Sequence, residues 1–172
     1  METLTDGDIW IYTYRTGLLK SVGHDLRLSL RDFEITHGDG EVSARFWTES
    51  IEVDGAIYEG ELDRGELSSK DRAKIKGNIR DDVLETDAYP EVRFEGRYEP
   101  QDDEVYEIGG ELEIVGVTND LRMEVRRDGG RFVGGVELAP SDWGIEPYKA
   151  LMGSLRLEDR VGIEFEVRAG DR

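Results

Sequence analysis

The 172-residue sequence has no cysteine and only two histidines. Without thiols there is no disulfide, no thiolate metal ligand and no cysteine nucleophile. His24 and His37 lie far apart, and neither has a second histidine at metal-ligand spacing. Only four prolines occur, and no Pro-rich linker divides the chain. No apolar run approaches the roughly 18 residues of a membrane-spanning helix, so integral membrane association is not expected. The start, METLTDGDIW, has neither a basic segment nor an apolar run. It does not read as a secretory signal, and a cytoplasmic location is expected. Basic residues are also in the minority, 22 against 40 acidic ones, for a net charge of −18. Such a surface repels phosphates, which argues against nucleic acid as a partner. The bases are mostly arginine. Acidic excess with little lysine fits a salt-rich habitat, and a GC-rich genome produces the same bias.

What the sequence does have is alternation. Val161, Ile163, Phe165 and Val167 alternate with Gly162, Glu164, Glu166 and Arg168, as in a strand with one dry and one wet face. Phe132, Gly134, Val136 and Leu138 repeat the pattern. So do Leu121, Met123 and Val125, and the longer run Tyr106, Ile108, Leu112 and Ile114 with Gly110 as a bend or bulge. Val92, Phe94 and Tyr98 mark another strand, and Val42, Ala44, Phe46, Ile51 and Val53 extend the set. Near the start, Trp10, Tyr12 and Tyr14 oppose Ile9, Ile11 and Thr13. Leu26, Leu28 and Leu30 follow, with a phase slip at Asp32–Phe33. About eight strands result, punctuated by the turn signals Asp39-Gly40, Gly109-Gly110 and Asp128-Gly129-Gly130. One wet and one dry face means antiparallel pairing. Successive hairpins of this kind curl into an up-and-down barrel, which removes exposed edges.

Residues 68–85 break the rule. Ile75, Ile79 and Val83 recur every four residues, on one stripe of a helix. Ser68 with Asp71 resembles a capping box, and Tyr89 before Pro90 is pushed out of helical geometry. The expected role is a lid packed on the barrel. The expected architecture is thus all-β, one domain over residues 1–172 with its core at about 9–168, and one inserted α-helix.

Chemical motifs are few. No serine lies in a Gly-x-Ser-x-Gly elbow, and no phosphate loop or dinucleotide-binding glycine pattern exists. Asp81–Asp82 and Asp102–Asp103 read as solvated charge, without the spaced oxygen ligands of a calcium loop. No metal or cofactor is expected. His37 reads as a solvated turn residue. His24 is followed by Asp25, a pair suited to a ligand head group or to proton transfer. An eight-stranded barrel is just wide enough for one elongated ligand, and its apolar face serves a cavity or a filled core equally well. Tyr12, Tyr14, His24, Trp47 and Trp143 are candidates for polar groups placed in such a cavity.

Four segments then carry a family resemblance. KDRAKIKGNIRDDVLETDAYPEVRFEG resembles the helix, Tyr-Pro junction and Phe-bearing strand of YceI-like proteins. GGELEIVGVTNDLRMEV resembles their Gly-Val-Thr turn, here Gly116, Val117 and Thr118. GGVELAPSDWGIEPYKALMGSLRLEDRVGIEFEV is similar to their closing hairpin, with Asp142, Trp143 and Gly144. RTGLLKSVGHDLRLSL resembles a Gly-His-Asp-Leu subgroup. The resemblance implies an extended lipocalin-like barrel whose tunnel holds a polyisoprenoid or related lipid, carriers rather than enzymes, and homodimers among its members. Expected ligand contacts are Tyr12, Tyr14, Leu26, Leu28, Phe46, Phe94, Ile114, Met123, Val136, Trp143 and Phe165. His24 and Asp25 are expected at the head group, and residues Pro147 to Gly153 at the rim. Two alternatives remain at this point. One is an interaction module with a filled core, and the other an enzyme on a small hydrophobic substrate using His24 and Asp25.

Overall fold

Alternation dictates the architecture. A computed structural model describes residues 1–16, 24–150 and 155–170. Strands β1 (Glu2–Leu4), β2 (Gly7–Thr16), β3 (Asp25–Leu30), β4 (Phe33–Gly38), β5 (Glu41–Trp47), β6 (Ile51–Tyr58) and β7 (Glu61–Asp63) precede helix α1 (Ser69–Asn78). Strands β8 (Glu91–Pro100), β9 (Val105–Ile114), β10 (Val117–Asp128), β11 (Arg131–Leu138), β12 (Lys149–Ala150) and β13 (Leu155–Arg168) follow. All pairings are antiparallel, in the order β1-β4-β5-β8-β9-β10-β11-β13-β2-β3-β6-β7, with β12 beside β13.

There are thirteen strand segments among the described residues, against about eight expected, and the reason is bending. β3–β4 and β5–β6 form one long hairpin, kinked where the sequence phase slips. The ladder continues across the kink through Arg31 N–H to Ser50 O and Trp47 N–H to Asp32 O. The base of this hairpin pairs with β2 and its tip with β8, so it bridges the two flanks of the sheet and curls the wall around an interior. With β3–β4 and β5–β6 each counted as one bent strand, eight long strands make that wall. β1, β7 and β12, of two or three residues each, are short additions.

The turn at Asp39-Gly40 has both residues at positive φ, 53° and 80°, as a two-residue hairpin loop requires. Gly109-Gly110 is not a turn but lies inside β9. Gly110 pairs with Gly96, and a Cβ on Gly110 would stand 2.2 Å from the Glu95 carbonyl oxygen. The strands approach too closely there for any side chain.

The helix begins as expected, with the Ser68 hydroxyl accepting the Asp71 N–H at 3.1 Å. It is shorter than 68–85: α1 ends at Asn78, and a π turn spans Ile79–Val83, closed by Leu84 N–H to Ile79 O. Ion pairs from Lys76 to Glu52 (2.6 Å) and Arg80 to Glu49 (2.7 Å) hold the segment on the rim. No helix among the described residues is long and apolar enough to cross a membrane.

Candidate functional site

The inward positions do not fill the interior. They enclose a cavity of about 580 Å³, lined by side chains from β1 to β6, the helical segment, β8 to β11 and β13. The filled-core alternative therefore fails. Three inward strand positions are glycine: Gly96, Gly110 and Gly134. Phe94 lies over Gly96 and Phe165 over Gly134, with ring atoms 2.8 Å and 2.6 Å from where a Cβ would stand. Rings folded onto glycine line the wall without blocking the centre.

Leu26, Leu28, Phe46, Phe94, Ile114, Met123, Val136, Trp143 and Phe165 all line the cavity, and His24 stands at its edge. Trp143 is 3% exposed, and its indole N–H donates to the Leu112 carbonyl at 2.8 Å. It rides on a 3-10 turn, Pro140–Trp143, that packs against β10 and β13. Ile75, Ile79 and Val83 also face the cavity, so the helical stripe is a piece of its wall.

Tyr12, Tyr14 and Asp25 are corrections, because none of them lines the cavity. The dry face of β2 is Ile9, Ile11 and Thr13, which puts the aromatic set outside. There the Arg27 guanidinium covers Trp10, and the Arg160 guanidinium, at the rim of the cavity, lies 3.8 Å from the Tyr14 ring centroid. Burial under this layer pushes the Tyr12 phenol up, and the Glu164 carboxylate adds to the shift. Asp25 has the outward parity of β3, and its carboxylate accepts the Arg15 backbone N–H at 2.7 Å. It does not orient His24, whose Nε2 lies 3.7 Å from Glu66. Trp47 is likewise absent from the lining and sits under Arg45.

Sequence reasoning missed the polar ends. At one, Asn78 donates to the Tyr148 hydroxyl at 3.0 Å, and Glu146 and Glu158 stand nearby in the lining. Pro147 and Tyr148 of the expected rim line the cavity. Residues 151–153 of that rim, like Gly23 before His24, lie outside the described residues. At the other end, His37 is a β4 residue rather than a solvated turn residue. Its ring packs edge-on against Phe132 and Tyr98, with centroids 5.5 Å and 6.2 Å away. Phase was the available signal, since His37 continues the inward alternation of Phe33 and Ile35. Among the described residues, no three potential metal-ligating side chains come together.

The family motifs meet in space. The Tyr89 ring covers the Gly116 turn, where a Cβ would stand 2.9 Å from it. Thr48, buried, donates its hydroxyl to Thr86 at 3.0 Å and its backbone N–H to the Pro90 carbonyl at 3.0 Å. These are structural contacts that set the barrel's end.

An antiparallel barrel curled around an apolar cavity, with one helix in its wall, defines the lipocalin-like fold class. The chain belongs to the YceI-like domain family, whose model matches residues 16–169. Its fold is similar to that of Burkholderia cenocepacia BcnA, at 14% identity, 96% of this chain, 99% of that one and a TM-score of 0.68. A polyisoprenoid binding domain from Saccharophagus degradans, implicated in plant cell wall breakdown, matches at 14% identity, 97% and 96% coverage and a TM-score of 0.64. The Campylobacter jejuni YceI protein matches at 16% identity, 84% coverage of each chain and a TM-score of 0.60. No curated protein matches.

Proposed function

We propose that this protein binds and carries a long apolar ligand of the polyisoprenoid class inside its barrel. The observation that carries this reading is the cavity: about 580 Å³, walled mostly by aliphatic and aromatic side chains. That volume falls within the roughly 300–1,000 Å³ typical of small-molecule sites. Each methylene that leaves water contributes about 0.8 kcal/mol, so a prenyl chain gains affinity along its length. Family membership and the polyisoprenoid-binding neighbour from Saccharophagus degradans support the same ligand class. The reading is of a carrier rather than an enzyme, since Asp25 turns away from the cavity that His24 borders.

The test is to fill the cavity. Val136 is half-buried in its wall. Val136→Trp should weaken binding of a prenyl alcohol at least about tenfold while the circular dichroism of the barrel stays unchanged. Unaltered affinity in a folded variant would place the ligand elsewhere.

A further inference from the structure

We propose that the cavity end formed by Arg127, His37, Tyr98 and Tyr106 receives the oxygen-bearing end of the ligand, with the chain running toward Trp143 and the helix. This rests on the lipid-binding reading above and adds an orientation and a head-group chemistry to it.

Leu121, Met123, Val125 and Arg127 occupy the inward positions of β10, so a guanidinium takes the last inward place in an otherwise apolar row. The protein carries 40 acidic side chains, and its outer arginines are mostly paired with them. Arg127 faces the cavity with no carboxylate within ion-pair distance among the described residues, and its guanidinium lies 5.7 Å from the Phe132 ring centroid. The cluster is continuous: Phe132 touches His37, His37 touches Tyr98, and Tyr98 touches Tyr106 at 5.9 Å. His37 Nε2 stands 3.1 Å from the Glu2 carboxylate, yet it is buried and lacks the alignment of a hydrogen bond.

The chemistry of this end is that of donors. A guanidinium only donates, and phenol hydroxyls and a neutral imidazole donate one hydrogen each. Among them His37 Nε2 is buried without a hydrogen-bond partner, which costs free energy, while Arg127, Tyr98 and Tyr106 are half-buried. A ligand oxygen supplies the acceptor: carboxylate, phosphate or an uncharged carbonyl or hydroxyl. The Glu2 carboxylate beside His37 opposes a multiply charged head. The opposite end differs, because Glu146 and Glu158 line it and the Arg160 guanidinium there is already bonded to Glu158 at 2.9 Å.

The experiment titrates the full-length protein with geranylgeranic acid, geranylgeraniol and the matching hydrocarbon, following tryptophan fluorescence. The wild type should prefer both oxygenated ligands to the hydrocarbon. Arg127→Met should weaken acid binding about tenfold, the size of one charge-assisted hydrogen bond, and leave the hydrocarbon within about twofold. Arg127→Lys should restore most of the preference, and Tyr98→Phe provides a second, milder probe of the same end. Loss for the acid alone marks a charged head, and equal loss for acid and alcohol marks a neutral oxygen. Equal loss for acid and hydrocarbon overturns the inference, since Arg127 would then be wall only. So does a preference abolished by Asn78→Leu and not by Arg127→Met. A wild type that binds none of the three refutes the lipid reading itself, and the inference with it.

Discussion

Asp159 holds the 3-10 turn that carries Trp143. Its carboxylate accepts the Ser141 backbone N–H at 2.9 Å and the Ser141 hydroxyl beside it. These two contacts, the hydroxyl first, hold the acid below its ordinary value of 3.8. A depressed folded value means that the contact stabilises above the unfolded value and is lost as pH falls through the folded one. Asp159→Asn should therefore lower stability near neutral pH and flatten the fall of stability below about pH 4, in denaturant melts across pH. An unchanged acid limb in the variant would show that Ser141 does not depend on this charge. Residue identity alone left this anchor invisible, because nothing in Asp159 distinguishes it from the other acids until the turn folds back onto β13. Tyr12 and Tyr14 misled for a related reason. Aromatic bulk suggests the inside, whereas arginine stacking provides an outside home for the rings.

At the scale of elements, the strand pattern was legible nearly throughout. The inward sets on β5, β8, β10, β11 and β13 follow from alternation alone. The kinked hairpin was legible only as a phase slip, since a bend changes pairing partners without changing composition. The helical stripe Ile75, Ile79 and Val83 was also readable. Its π turn was not, because the closing Leu84 to Ile79 bond depends on how the segment meets the rim. Ile79 packs on the core and faces the cavity at the junction of α1 and that turn. Ile79→Asp should place a charge in the ligand's path and reduce prenyl-alcohol affinity about tenfold or more, with a destabilisation of about 1–3 kcal/mol in urea melts. Full affinity in this variant would remove the helix from the binding wall.

At the scale of the molecule, charge and hollowness divide between surface and interior. The net charge of −18 sits on a barrel whose lining is apolar. Self-repulsion is screened as the Debye length shrinks from about 30 Å at 0.01 M salt to about 3 Å at 1 M. The melting temperature should therefore rise with sodium chloride over that range. A flat or falling profile would mean that the surface ion pairs outweigh the repulsion. Hollowness had a faint sequence signal in the inward glycines at 110 and 134. The cavity itself depends on Phe94 and Phe165 folding over inward glycines, which only the folded chain shows.

The proposed function requires that this interior hold a lipid. The direct measurement is native mass spectrometry, with solvent extraction, of the protein purified from its own host. A long apolar lipid retained at about one per chain is the predicted result. Protein recovered folded and free of apolar ligand, and unable to take up any prenyl chain afterwards, would contradict it.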